Sequence, residues 1–253
     1  MDESFCPTQF KEAESVVIPK PKKSDYTTPK AYRPIALLNT LGKLLTKVLA
    51  SRLQYDANKH DLLHPGQFGG VQKHATTDVA LILMDTIVKA RERGHHTSVL
   101  ALDIAQFFPS LNHRVMFIVL TKLGFNSKIA NFVIAFFSDC TTRYRWGSDV
   151  SPPIDASVGV PQGDSLSPIL SALYLATLLT LAFQWGIDKR VNILTFVDDR
   201  VLITSSESLD ANVDFLATIY KTLLVFLSYF GLTSEHSKLE LKHFYAFDLN
   251  GPL

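Results

Sequence analysis

The spacing of apolar residues along the chain predicts several helices in its first part. The first is marked by apolar side chains three or four positions apart, namely Leu41, Leu44, Leu45, Val48, Leu49 and Leu53. The same period predicts a helix from about Thr76 to Arg93, where Gly94 provides a stop signal. Two shorter helices are predicted near Asn112–Leu123 and Ser127–Ser138.

Two longer apolar segments follow in the second part. Pro168–Trp185 is the most apolar segment and approaches the length of a membrane span. Its polar start and the charged residues just after Gly186 instead favour a helix buried in a protein core, so we expect no membrane partner. Ser208–Phe230 predicts another long helix, which Gly231 closes.

Short apolar runs predict the strands. "TSVLALD" (Thr97–Asp103) has the pattern of a fully buried strand that ends in a carboxylate, and "VNILTF" and "RVLIT" predict strands on either side of Asp198 and Asp199. "TTRYRW" is predicted to be an edge strand and "KLELKHFYAF" a final strand. Because helices and strands mix without regular βαβ alternation, the fold class predicted is α+β, with helices packed on an antiparallel sheet.

The amino-acid composition limits the class of protein but does not identify a binding partner. The 253 residues suffice for one large or two small domains, and an apolar content of 47% excludes a disordered chain. A net charge of +1 suggests neither nucleic acid nor membrane. The two cysteines, Cys6 and Cys140, exclude a disulfide framework and a zinc cluster, which fits a reducing, intracellular location. The acidic N-terminus predicts no signal peptide, and nothing distinguishes nucleus from cytoplasm.

One segment departs from this even charge. Between Pro19 and Arg52, eight lysine and arginine residues stand against Asp25 alone. Two interpretations are open on this pattern. The segment is either a solvated loop broken by prolines and followed by an ordinary amphipathic helix, or a region that binds phosphate groups.

The adjacent aspartates Asp198 and Asp199 interrupt two apolar runs. Such a pair serves either as a tight hairpin turn or as part of a metal site at the hairpin tip. Asp103 ends another buried strand, so the three carboxylates would converge if the strands are neighbours. Oxygen ligands without histidine or cysteine favour a hard cation, Mg²⁺ or Mn²⁺, and carboxylates with Mg²⁺ indicate phosphate chemistry.

Four segments, in this order, resemble the reverse transcriptase domain of non-LTR (LINE-type) retrotransposons. They are "YRPIALLNTLGKLLTKVLASRL", "LDIAQFFPSLNH", "GVPQGDSLSP" and "FVDD". "VVIPKPKKSDYTTPKAYRP" and "QFGGVQKHATTDVALIL" add weaker matches, so the resemblance covers the chain from Val16 to Phe247. Group II intron proteins share several of these motifs, but the first segment is more similar to retrotransposons.

The resemblance implies a polymerase core of fingers and palm in which the thumb is largely absent. The fingers would occupy roughly residues 15–95, interleaved with a palm at roughly 96–250, and residues 1–14 would be a fragment edge or linker. Asp103 and Asp198 would bind two catalytic Mg²⁺ or Mn²⁺ ions, with Asp199 alongside. Lys238 resembles a lysine that protonates the pyrophosphate leaving group, although a lone lysine before a strand is more often a surface residue.

The resemblance also implies a set of nucleotide-binding residues. Phe108 matches the aromatic residue under the sugar of the incoming nucleotide, and its alternative is an ordinary core phenylalanine. Gln162 and Gly163 match a loop that contacts nucleotide and template, and their alternative is a simple turn. Arg33 and Lys20 match basic residues that contact the triphosphate, where either could instead be a solvated charge.

The function implied is that of an RNA-directed DNA polymerase acting with an RNA template, a DNA or RNA primer and dNTPs. The chain would belong to a longer element with further domains, and its oligomeric state is open. Ser165 and Pro109 depart from the family pattern, and only about 15 residues follow Lys238. The alternative is a non-catalytic, drifted remnant that keeps the fold and binds RNA.

Overall fold

The computed structural model of the chain describes residues 6–71, 74–197 and 199–246. It contains two compact units, each built from two stretches of chain. Unit 1 comprises Met1–His60 and Phe108–Ser171, and unit 2 comprises Asp61–Phe107 and Ala172–Leu253. The strands are β1 (Glu12–Pro19), β2 (Tyr32–Leu38), β3 (His96–Asp103), β4 (Thr141–Trp146), β5 (Asp149–Val150), β6 (Ile154–Asp155), β7 (Asn192–Phe196), β8 (Asp199–Ser206) and β9 (Glu240–Phe244). The helices are α1 (Thr40–Lys59), α2 (Thr76–Glu92), α3 (Phe107–Ser110), α4 (His113–Lys122), α5 (Ser127–Phe137), α6 (Ser167–Trp185) and α7 (Leu209–Tyr229).

Unit 1 is built on a five-stranded sheet. Its order is β2-β1-β4-β5, and β6 also pairs with β4. β1 and β2 are antiparallel, whereas β1 and β4 run parallel. Side chains far apart in sequence hold the parallel pair together. Arg145 forms a bidentate ion pair with Glu14. The Ser15 and Thr142 hydroxyls are 2.8 Å apart and share a hydrogen bond.

Two expectations for unit 1 are wrong. A proline-broken loop was one of two interpretations of the basic segment, but Tyr32–Leu38 within that segment forms the strand β2. Pro34 is tolerated there because β2 ends the strand order, and an edge strand does not need every N–H as a donor. "TTRYRW" forms β4 as predicted, but it is not an edge strand, since β1 lies on one side of it and β5 and β6 pair with it on the other.

The predicted first helix is confirmed as α1, but half of its apolar stripe is exposed. Asn39 caps it by accepting the Leu41 N–H at 2.9 Å. The exposed fractions of Leu41, Leu44 and Val48 are 65%, 59% and 62%. Its buried residues are instead Gly42, Thr46, Leu53, Gln54 and Ala57. Four of these five buried positions of α1 thus carry small or polar side chains.

Unit 2 contains the antiparallel sheet that the sequence predicts. Its order is β7-β8-β3-β9, and every neighbouring pair is antiparallel. α2 contributes Val79 and Leu83 to a core formed with Val99, Leu194 and Ile203. α7 packs against β3 and β8. The α+β fold, with helices packed on an antiparallel sheet, is thereby confirmed.

The apolar helix predicted at Pro168–Trp185 is α6, which begins in unit 1 and continues in unit 2. α6 and α7 are both long and apolar enough to cross a membrane by length and composition alone. Within α6, however, 67% of the most apolar window is buried inside the protein. Tyr174 is fully buried and donates its hydroxyl to the Phe230 carbonyl. α6 is accordingly a core helix.

Candidate active site

Two of the three predicted metal ligands in unit 2 lie directly opposite each other. β3 ends at Asp103, β8 begins at Asp199, and the two residues are partners in the antiparallel register. Opposed residues in such a pair share one face of the sheet and have Cα atoms about 4.5–5.5 Å apart. Asp103 is buried, whereas Asp199 is exposed. The two strands are therefore neighbours, as convergence of the carboxylates requires.

The donor set at this edge of the sheet fits a hard cation. Two carboxylates on one face provide the oxygen ligands that Mg²⁺ and Mn²⁺ prefer. Asp198, the third predicted ligand, lies outside the described residues. Within the described part of the chain, no group of three histidine, cysteine, aspartate or glutamate residues could hold a metal ion.

Lys238 contacts this site directly. Its ammonium donates a hydrogen bond to the carboxylate of Asp103, and the side chains of the pair are 62% and 10% exposed. The backbone holds Lys238 in place, because the Glu235 N–H donates to the Asp103 carbonyl at 2.9 Å and the Lys238 N–H donates to the Glu235 carbonyl at 3.0 Å. Lys238 thus supplies a positive charge that compensates the buried carboxylate.

The hairpin between β7 and β8 contains features that the sequence reasoning missed. Phe196 pairs with Asp199, and Val197 is the described residue in the connection between β7 and β8. Val197 has a φ of +60°, which is rare for a β-branched residue. Arg200 is buried, with its guanidinium 5.9 Å from the ring centroid of Phe107. The signal available in the sequence was a valine and an arginine flanking the two aspartates.

In unit 1, the predicted nucleotide loop is fixed to β2. The carbonyl of Gln162 accepts the N–H of Ala36 at 3.0 Å. Gly163 has a φ of +112°, and a Cβ at this position would lie 3.0 Å from the Ala36 carbonyl oxygen. Glycine is therefore required both for its conformation and for the close approach to β2. Gln162 and Gly163 belong to a loop held by tertiary contacts rather than to an isolated turn.

Asp164 joins the same loop to α1. Its carboxylate accepts the Thr46 hydroxyl at 2.9 Å and the Leu166 N–H at 2.7 Å. Only 4% of Asp164 is exposed, and this burial raises the pKa of its carboxyl above the ordinary value of 3.8. The sequence pattern does not predict a role for Asp164, because its partner on α1 is 118 residues away.

The other predicted nucleotide-binding residues also belong to unit 1. Arg33 is exposed on β2, three positions before Ala36 and opposite Ile18. Lys20 follows β1 and donates its N–H to the Ala31 carbonyl at 2.8 Å.

Phe108 is half-buried in unit 1, and its carbonyl accepts the Val160 N–H at 2.9 Å. The fully packed phenylalanine of "FFPSL" is Phe107, with 3% exposed. The structure therefore brings Phe108 to the start of the same loop that carries Gln162 and Gly163.

Comparison with known proteins gives one family. A family model described as reverse transcriptase (RNA-dependent DNA polymerase) matches residues 18–245. A retrovirus-related Pol polyprotein from the type-1 retrotransposable element R2 of Popillia japonica is 31% identical over 211 residues, covering 80% of this chain and 29% of that protein. A probable RNA-directed DNA polymerase from transposon BS of Drosophila melanogaster is 30% identical over 203 residues, covering 80% and 22%. The chain spans less than a third of the length of either relative.

Solved structures show the same fold. Telomerase from Candida Tropicalis in complex with a TWJ fragment of telomeric RNA has a TM-score of 0.65 at 15% identity, covering 94% of this chain and 42% of that one. An apo telomerase from Candida Tropicalis truncated from its C-terminal domain has a TM-score of 0.63 at 16% identity, covering 98% and 53%. The predicted resemblance to retrotransposon proteins is confirmed, and the chain belongs to the reverse transcriptase (RNA-dependent DNA polymerase) family.

Proposed function

We propose that this chain is the polymerase core of a retrotransposon reverse transcriptase, which adds dNTPs to a primer 3′-hydroxyl as directed by an RNA template. The observation that carries the proposal is the pairing of Asp103 with Asp199 across β3 and β8 in a chain of this family. Relatives named as RNA-directed DNA polymerases support the reaction class. The primer would be DNA or RNA, and the chain would act inside the cell as part of a longer element.

The residues that would hold Mg²⁺ or Mn²⁺ are Asp103, Asp198 and Asp199. When bound, such ions supply activation of the 3′-hydroxyl and neutralisation of the triphosphate charge. The protein's own residues do the positioning: β3 and β8 fix two carboxylates on one face of the sheet. Lys238, in contact with Asp103, would hold a proton for the leaving pyrophosphate.

Unit 1 would bind the incoming nucleotide. Arg33 presents a planar guanidinium suited to phosphate oxygens, and Lys20 adds a second charge. Gln162 and Gly163 lie on a loop that the Ala36 N–H fixes to the strand carrying Arg33. Phe108, half-buried at the start of that loop, would lie under the sugar.

Primer extension on an RNA template with dNTPs and Mg²⁺ tests the proposal. Asp103→Asn and Asp199→Asn should each lower the extension rate by at least about 100-fold, because each removes one charged oxygen donor. Glu240→Gln is the matched control, since Glu240 is an exposed carboxylate on the neighbouring strand β9. Melting temperatures of all three variants should stay close to that of the unsubstituted chain.

The result also separates this proposal from the non-catalytic remnant. A chain that binds RNA but extends no primer in either Mg²⁺ or Mn²⁺ would favour the remnant. The two departures from the family pattern give that reading little support, because Pro109 and Ser165 are both exposed. Full activity of Asp103→Asn would overturn the assignment of the carboxylates.

A further inference from the structure

A short segment of unit 2 runs along β7 without being one of its paired strands. Residues 66–69, named the strap here, have the sequence Gly-Gln-Phe-Gly. The Thr195 N–H donates to the Gly66 carbonyl at 2.7 Å, and the Phe68 N–H donates to the Thr195 carbonyl at 2.9 Å. Phe68 is buried in the core beside Val99. The strap is therefore anchored by its backbone and by the side chain of Phe68.

Each end of the strap is a glycine pressed against the backbone of the β7 hairpin. A Cβ on Gly66 would lie 1.9 Å from the Ile193 carbonyl oxygen. A Cβ on Gly69 would lie 2.1 Å from the Val197 nitrogen and 2.7 Å from its Cγ2 atom. Distances under 3.0 Å are essentially never seen for a real Cβ, and the backbone atoms contacted cannot rotate away. Only glycine fits at either end.

The two ends touch chemically different parts of the hairpin. Gly66 meets β7 near its start, whereas Gly69 meets Val197 in the turn that leads to Asp198 and Asp199. Val197 has a φ of +60°, where turns ordinarily use glycine, asparagine or aspartate. A β-branched residue keeps such a conformation only when its surroundings hold it. Gly69 supplies a contact on both the backbone and the side chain of Val197.

We propose that Gly69 is a positioning residue, which holds the strained Val197 turn and thereby fixes the carboxylate of Asp199 opposite that of Asp103. The inference rests on the proposed function of these carboxylates as metal ligands. The physical reason is that the β7–β8 turn sets where β8 begins, and Asp199 is the first residue of β8. A small displacement of a metal ligand weakens metal binding and slows the reaction together.

Gly69→Ala and Gly66→Ala make a matched pair, because each adds one methyl group against the backbone of the same hairpin. Both should lower the melting temperature. Only Gly69→Ala should raise the Mg²⁺ concentration at half-maximal rate and lower kcat at saturating dNTP, each by about 10- to 100-fold. Titration with Mn²⁺ alone, followed by electron paramagnetic resonance, should show the same loss of affinity without turnover. Measurements are made where both variants are folded.

The outcomes distinguish this inference from the proposed function. If the unsubstituted chain extends primers and binds Mn²⁺ while the two variants lose both properties equally, Gly69 is merely structural and the inference is overturned. If the unsubstituted chain does neither, the proposed function fails and the inference fails with it. Should Gly69→Ala not fold, Val197→Gly removes the side chain that Gly69 contacts and lets the turn adopt other conformations, while the sequence of the strap is unchanged. Its Mn²⁺ affinity should fall while its melting temperature stays within a few degrees, and unchanged affinity would contradict the inference.

Discussion

At the scale of single residues, the contact between Lys238 and Asp103 places a positive charge beside the two opposed carboxylates. Asp103 and Asp199 are opposed on one face, and the Lys238 ammonium bonds to the more buried of the two. Repulsion between the carboxylates is thus partly compensated without a metal ion. A divalent cation would have to compete with this ammonium for Asp103.

Replacing Lys238 with glutamine should therefore separate metal binding from catalysis. Mn²⁺ affinity should rise about two- to fivefold, since the Lys238 side chain is 62% exposed and an ion pair made by such a lysine is worth about 0–1 kcal/mol. The extension rate at saturating metal should fall at least about 100-fold if Lys238 holds the proton for pyrophosphate. Lys242→Gln is the control, because Lys242 is a 70% exposed lysine on the nearby strand β9. Unchanged rates in Lys238→Gln would make Lys238 a charge partner of Asp103 and nothing more.

Phe108 allows a test of sugar selection. If its half-buried ring lies under the sugar, Phe108→Val should admit ribonucleotides and raise the rNTP-to-dNTP ratio of kcat/KM by about tenfold or more. Phe107→Val is the comparison, since Phe107 is fully packed. That variant should lose stability, on the order of 2–3 kcal/mol, without changing the ratio. Equal loss of both substrates in Phe108→Val, with a lower melting temperature, would identify Phe108 as ordinary core.

At the scale of elements, α1 shows that helical spacing predicts a helix but not the face it buries. Leu44 is exposed whereas Leu53 is completely buried, although both belong to the same apolar stripe. Leu53→Ala should lower the free energy of unfolding by about 2–4 kcal/mol, because it leaves a cavity. Leu44→Ser should change it by less than about 0.5 kcal/mol. Urea unfolding measures both, and a large loss in Leu44→Ser would show that the stripe is buried in solution.

The loop from Gly159 to Ser167 should show a distinctive pH dependence through Asp164. Burial raises the pKa of Asp164 in the folded chain. The protonated carboxyl therefore contributes its full stability below the pKa of the unfolded chain, about 3.8, and this contribution is lost as the pH rises through the pKa of the folded chain. Asp164→Asn removes this ionisation. The melting temperature of Asp164→Asn should therefore increase relative to that of the unsubstituted chain as the pH rises from 3 to 8.

Asp188 provides a control whose effect on stability has the opposite dependence on pH. Hydrogen bonding by Arg190 lowers the pKa of Asp188 in the folded chain, so the folded chain gains stability as the pH rises from the folded pKa to the unfolded pKa of Asp188. The melting temperature of Asp188→Asn should accordingly fall relative to that of the unsubstituted chain as the pH rises. Parallel curves for the unsubstituted chain and Asp164→Asn would show that Asp164 is not buried as the structure has it.

The elements that could be predicted from the sequence are those whose pattern is local. β3, α6 and α7 are long or strongly apolar, and each was predicted within a few residues of its observed bounds. β2 was missed because Pro34 is a local signal against a strand, and only its edge position in the sheet makes it acceptable. The parallel pairing of β4 with β1 depends on residues more than 120 positions apart.

The residues of the candidate site could likewise be predicted only where their sequence pattern is local. Asp103 and Asp199 could be found because each stands at the end of an apolar run. The Lys238 contact to Asp103 spans 135 residues and has no local signal. Gly69 was equally hidden, since a glycine required by close approach to another strand has the same appearance in a sequence as one required by a turn.

At the scale of the whole molecule, the near-neutral net charge conceals two units of opposite sign. Unit 1 contains 15 basic and 10 acidic residues, which gives it a net charge of +5. Unit 2 contains 10 basic and 14 acidic residues, which gives it −4. The basic segment between Pro19 and Arg52 belongs to unit 1, and the three predicted carboxylates belong to unit 2. A polymerase needs both signs, one for nucleic acid and triphosphate and the other for metal ions.

Under the proposed function, this separation of charge predicts how the chain by itself should bind nucleic acid. Contacts to phosphates release counterions, so the affinity for an RNA–DNA duplex should fall steeply between about 50 and 200 mM salt. Lys22 and Lys23 are exposed in the basic segment of unit 1, and Lys22→Gln/Lys23→Gln should reduce the slope of log affinity against log salt by about 1–2. Lys221→Gln/Lys242→Gln removes the same charge from exposed positions of unit 2 and should leave the slope nearly unchanged. Equal effects of the two pairs would mean that the duplex responds to net charge alone, and that the basic segment is the solvated loop of the other interpretation.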